Sequence, residues 1–110
     1  MAYIPNQGDI IFMDFDPQTG YEQRGRRPAL VVSNAGYNRH CRMAMVCPIT
    51  NKDKAHAFHI LLDKSTKTTG VILCDQVRAL DTAARNAEYI ESVSSDIIDE
   101  AVDMLCSFVE

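Results

Sequence analysis

The chain predicts a small, mainly β domain with one C-terminal helix, its strands forming a curled sheet or barrel. Three observations lead there. Short apolar runs of strand length recur between polar turns; the C-terminal segment alone carries sustained helical spacing; and long helices do not alternate with strands as in a βαβ fold. With 110 residues, 46% hydrophobic and 24% charged, residues 1–110 are expected to form a single domain.

Asp9–Phe15 (DIIFMDF) reads as the first strand, and Asp16-Pro17-Gln18-Thr19-Gly20 supplies a turn. A charged, glycine-punctuated loop continues through Tyr21-Glu22-Gln23-Arg24-Gly25-Arg26-Arg27 to Pro28, and Ala29–Ser33 begins a valine-rich second strand. Asn34–His40 suits a short helical turn or loop. The third strand is expected over Arg42–Ile49, the fourth over Ala57–Leu62 and the fifth over Val71–Val77 or slightly beyond. Ala79–Asn86 suggests a helical turn, and Tyr89–Val93 a sixth, edge-like strand. From Asp96 onward, Ile97, Ile98, Ala101, Val102, Leu105, Phe108 and Val109 fall on one helical face, with Ser94 or Ser95 as the N-cap.

Charge is unevenly divided. The net charge is −4, yet residues 1–54 hold seven bases and five acids, while residues 55–110 hold four bases and ten acids. A basic first half can contact phosphate and an acidic second half limit indiscriminate binding, although solvated surface charge gives the same count. The longest apolar run, Met43–Ile49, is far short of the roughly 18 residues that suggest a membrane span. The N-terminus does not read as a secretion signal, so a cytoplasmic protein without a membrane partner is expected. Cys41, Cys47, Cys74 and Cys106 are scattered, which argues against a disulfide framework, and Cys47 and Cys74 sit in apolar runs as small buried hydrophobes. His56 and His59 form an H-x-x-H pair with no third ligand at zinc-finger spacing, so no metal site is expected.

The chemically loaded cluster is Glu22, Arg24, Arg26 and Arg27 between two strands, with Thr50 at the end of a third. A carboxylate beside guanidiniums can act as a general base, arginine matches phosphate oxygens with a planar fork, and a threonine hydroxyl adds a neutral donor. That set suits metal-free RNA cleavage, in which the substrate's own 2′-hydroxyl is the nucleophile. By spacing alone, arginine-rich loops with one glutamate are far more often salt-bridged surface. Phosphate-binding glycine loops, hydrolase elbows and zinc-protease patterns are absent.

The stretch GDIIFMDFDPQTGYEQRGRRPALVVS, Gly8–Ser33, closely resembles the N-terminal signature of the MazF/PemK toxins, the mRNA interferases of toxin–antitoxin pairs. Two further blocks agree: Cys47-Pro48-Ile49-Thr50 resembles the family's strand-end P-x-T, and Gly70–Arg78 (GVILCDQVR) resembles its G-V-x-x-x-D-Q-[VI]-[KR] segment. The resemblance implies an SH3-like barrel of the MazF/PemK/CcdB type, a homodimer, and a cognate MazE-like antitoxin. It also implies sequence-specific, cofactor-free cleavage of single-stranded RNA to 2′,3′-cyclic phosphate and 5′-hydroxyl ends.

Carried over by position, Glu22 resembles the general base, Arg27 the phosphate-stabilising residue and Thr50 a phosphate ligand. Gln23, Arg24, Lys52, Lys54, Asp75, Gln76 and Arg78 resemble RNA contacts. In the PemK-like branch the aspartate matched by Asp75 is a proposed catalytic residue with an arginine two positions before it; here that position is Leu73, which favours the Glu22/Arg27/Thr50 arrangement. A rival of another class is a gyrase-binding toxin of the CcdB kind, and a third is a cleavage-dead RNA-binding relative. The Glu22/Arg27/Thr50 constellation favours the ribonuclease.

Overall fold

The computed structural model describes residues 3–15, 25–52 and 56–109. Seven strands and two α-helices run in the order β1 (Asp9–Asp14), β2 (Arg26–Val31), α1 (Ala35–Cys41), β3 (Ala44–Thr50), β4 (His59–Leu61), β5 (Val71–Leu73), β6 (Arg78–Leu80), β7 (Glu88–Ser92) and α2 (Ser95–Ser107). All pairings are antiparallel, in the spatial order β4-β5-β3-β2-β1-β7, and β6 also pairs with β3. The mainly β architecture with a C-terminal helix is as expected, and the pairings trace a path whose end strands are β4 and β7.

Two apolar clusters lie on the two faces of this sheet, as the period-2 alternation of strand side chains requires. Ile10, Leu30, Cys47, Ile49, Ile60 and Ile72 pack under Ile97 and Ala101 of α2. Ile11, Met13, Phe15, Ala29, Val31, Val46 and Leu80 form the second cluster. Helix α2 starts where a serine can cap it: Ser94 accepts from the Ile97 N–H. Its buried side is narrower than the spacing suggests, because Phe108 and Val109 lie past the helix end and are exposed.

Four expected elements differ. Strand β2 begins at Arg26, three residues before the apolar run, because Arg26, Arg27 and Pro28 register against Asp14, Met13 and Phe12 of β1. The fifth strand does not run to Val77: it stops at Leu73, and Cys74–Gln76 form a 3-10 turn. The apolar run conceals this break, since Cys74 is buried while Asp75 and Gln76 turn outward to water. Beyond it the chain returns to the same edge of β3 as β6, where Arg78, Ala79 and Leu80 pair with Val46, Met45 and Ala44. Ala79 and Leu80 are therefore strand residues, and 82–86 is a turn in place of the expected helical one. Strand β3 starts at Ala44, after Arg42 adopts a left-handed C-cap at the end of α1.

Candidate active site

Strand register assembles the candidate residues. Ala29, Leu30 and Val31 of β2 face Pro48, Cys47 and Val46 of β3. By alternation along the strands, Arg27 shares a face with Ala29 and Val31, and Thr50 with Pro48 and Val46. Thr50 pairs with Val71 on its other side, and Val71 with Leu61. Residues directly opposite in an antiparallel sheet share a face, so Thr50, Val71 and Leu61 form one row on the face opposite α2, the face to which Arg27 also belongs. The neighbouring row ends at His59, opposite Leu73. Arg78 joins the same face through its pairing with Val46.

Thr50 is buried, and its Oγ1 accepts from the Lys52 backbone N–H at 3.1 Å. A hydroxyl that accepts there still has its proton to donate. The backbone below is held by Gly70, at φ +124°: a Cβ on Gly70 would lie 2.6 Å from the Thr50 carbonyl oxygen. Glycine is required by both the angle and the approach.

Neighbouring arginines have different surroundings. Arg26 donates to Asp14 Oδ1 at 3.1 Å, to the Phe12 and Asn86 carbonyls at 3.2 and 3.0 Å and to Glu88 Oε1 at 3.2 Å, and it lies 4.9 Å over the Phe12 ring. Hydrogen bonds from Asn86, and the Arg26 guanidinium with its own bond, hold the Asp14 carboxyl below the usual carboxylate range. Arg26 is thus a structural clamp joining β1, β2 and β7. Arg27, half-buried, points to the other face of β2. Lys52 and Gln76 are exposed, and Arg78 is half-buried. Glu22, Gln23, Arg24 and Lys54 lie outside the described residues.

Sequence spacing missed one constellation. His59 Nε2 lies 2.9 Å from Asp75 Oδ1, across 16 residues of chain, and the His56 ring stacks on His59 with centroids 3.5 Å apart. One ligand atom from each of His56, His59 and Asp75 falls within 4.8 Å of the others, so a third group does join the H-x-x-H pair. The rings nevertheless stack where a metal needs them to converge: two imidazoles on one tetrahedral zinc, with Zn–N near 2.0–2.1 Å, place their centroids about 5 Å apart. The set therefore reads as a hydrogen-bonded stack.

Cys47 and Cys74 are both buried free thiols, as expected. A hydrogen bond with Cys74, together with burial, pushes the Cys47 thiol up, which suits an inert core position. A cavity of about 520 Å³ lined by Tyr3, Pro5, Arg39, Arg42, Met43 and Thr82 includes none of the candidate residues. Among the described residues no helix is long and apolar enough to cross a membrane.

Known proteins resemble this chain along nearly its whole length. Residues 6–109 match the model of the PemK-like, MazF-like toxins of type II toxin–antitoxin systems. Endoribonuclease PemK of Escherichia coli is 36% identical over 107 residues, covering 94% of this chain and 80% of that protein. Endoribonuclease toxin MazF of Escherichia coli (strain K12) is 41% identical over 85 residues, 77% of this chain and 76% of its own length. The crystal structure of MazF from Deinococcus radiodurans superposes with a TM-score of 0.88 at 37% identity, covering 97% of both chains. A MazE-MazF crystal structure from the same organism gives 0.85 at 37% identity, covering 97% of this chain and 96% of that one. With its strand order, its ordered motifs and this coverage, the chain belongs to the MazF/PemK family of type II toxin–antitoxin toxins and is an endoribonuclease of that family.

Proposed function

We propose that this toxin cleaves single-stranded RNA at a short sequence, independently of ribosomes and of metal, leaving 2′,3′-cyclic phosphate and 5′-hydroxyl ends. The supporting observation is the β2–β3 pairing, by whose alternation Arg27 and Thr50 belong to one face of the sheet. Glu22 removes the 2′-hydroxyl proton, and the freed oxygen attacks the adjacent phosphorus. Arg27 and Thr50 stabilise the pentacovalent phosphate through charge-assisted and neutral hydrogen bonds, and Arg27 is the candidate proton donor to the departing 5′-oxygen. The nucleophile belongs to the substrate, so the chemistry needs no cofactor. Gln23, Arg24, Lys52, Lys54, Asp75, Gln76 and Arg78 contact the RNA strand.

In this reading the curved sheet is an SH3-like barrel within a single domain, the active form is a homodimer in the cytoplasm, and a MazE-like antitoxin neutralises it. The Deinococcus radiodurans MazE-MazF structure supports the antitoxin assignment, since 97% of this chain superposes on it.

The test is incubation of the purified, antitoxin-free protein with long single-stranded RNA in EDTA, followed by mapping of fragment ends. The expected result is cuts at one recurrent motif with cyclic phosphate ends, lost in Arg27→Ala. Intact RNA from folded protein across varied sequences overturns the reading.

A further inference from the structure

Among the described residues, His59 Nδ1 is the one buried side-chain nitrogen or oxygen that lacks a hydrogen-bond partner. The ring is almost wholly enclosed, with 3% of the side chain exposed, whereas its partner Asp75 is 41% exposed. A carboxylate only accepts, so Nε2 carries the proton toward Asp75, and Nδ1 is the ring nitrogen left without a partner. Burying an imidazole with one nitrogen unsatisfied works against folding, and an apolar side chain of similar volume avoids that cost. The gain lies in geometry. His59 Nε2 holds Asp75 Oδ1, His56 stacks against the ring, and Asp75 Oδ2 is left for a donor from outside. The group so oriented borders the face that carries Arg27 and Thr50.

We propose that His59 is a positioning residue that fixes the Asp75 carboxylate to accept a hydrogen bond from the exocyclic amino group of an RNA base. This rests on the ribonuclease reading above and adds to it a source of sequence preference. An immobilised, acceptor-only carboxylate favours adenine, cytosine or guanine, whose amino groups donate. It disfavours uracil, whose carbonyl oxygens flank its single N–H and repel the carboxylate. Without the His59 bond the Asp75 side chain turns freely, and the preference at that one nucleotide weakens while phosphate contacts persist.

The experiment maps cut sites on a randomised single-stranded RNA pool for the unaltered chain, His59→Leu, His59→Asn, His59→Gln and Asp75→Asn, with melting temperatures in parallel. The unaltered chain is expected to prefer an amino-bearing base at one motif position by about tenfold, the scale of one good base contact. That preference falls below about threefold in His59→Leu and in His59→Asn, whose amide is too short to reach Asp75, with the other motif positions unchanged. His59→Gln, whose amide reaches further, retains it, and Asp75→Asn shifts it toward uracil because the new amide donates to a carbonyl. His59→Leu melts at or above the temperature of the unaltered chain. An identical nucleotide profile in all the variants overturns the proposal, as does a uniform decline at every position that tracks a lowered melting temperature. If His59→Leu fails to fold, the contrast between Asn and Gln decides. Intact RNA with the unaltered chain overturns the ribonuclease reading itself, and this proposal with it.

Discussion

Arg26 and Arg27 show how one step along a strand sends neighbouring guanidiniums to opposite faces, one a structural clamp and the other the proposed phosphate ligand. In the sequence they are equivalent members of a basic run, and composition gives no reason to prefer either for catalysis. Alternation along β2 separates them: Arg26 turns to Asp14, Glu88 and the Phe12 ring, and Arg27 to the opposite face. Arg26→Ala is expected to lower stability by about 2 kcal/mol, since several hydrogen bonds to charged and backbone acceptors are lost. Urea denaturation measures this, and residual cleavage follows the folded fraction. Arg27→Ala is expected to reduce cleavage per folded molecule by about 100-fold or more, the scale of losing one transition-state donor. At Gly70 the conflict is steric. Gly70→Ala forces a positive φ on an L-residue and a clash with the Thr50 carbonyl, so it is expected to cost about 2–4 kcal/mol and to displace Thr50.

Among the elements, α2 was legible because its apolar residues repeat at helical spacing, and β1 because an unbroken apolar run ends at a proline- and glycine-bearing turn sequence. Ser94 was legible as a cap because a short polar side chain precedes the helical spacing; Ser94→Ala is expected to cost about 1 kcal/mol, read from thermal melts. The break between β5 and β6 was hidden because hydropathy continues through Cys74, while the turn depends on where Asp75 finds His59. That partner is 16 residues away and reached only through the pairing of β4 with β5. A sequence lists such residues without showing that they meet. The motif blocks therefore pointed to Arg27, Thr50 and Asp75, and the fold was needed to add His59.

For the molecule as a whole, carboxylates set the response to acid. Asp14 is held low by Asn86 and Arg26, and Asp63 by the hydroxyl and N–H of Ser65. Burial pushes Glu91 up, but the Thr68 hydroxyl and the N–H groups of Thr68 and Lys67 outweigh it and hold the carboxyl low. Groups whose folded pKa lies below the unfolded value, about 3.9 for Asp and 4.3 for Glu, contribute fully above that value and lose the contribution as pH falls through the folded pKa. The melting temperature is therefore expected to be level from pH 7 to about 5 and to drop below about pH 4. Glu91→Gln should be less stable at pH 7 and show a shallower acid decline, and a parallel decline would remove Glu91 from the account.

At the foot of the segment 16–24, the Phe15 N–H donates to the Gly25 carbonyl at 3.0 Å, and Arg26 ties the same root to β1 and β7. Both roots of that segment are anchored in the β1–β2 ladder. Splicing the corresponding stretch of another family member between Phe15 and Gly25 should therefore leave the β1–β2 pairing in register, which amide hydrogen exchange at Phe15 and along β2 measures.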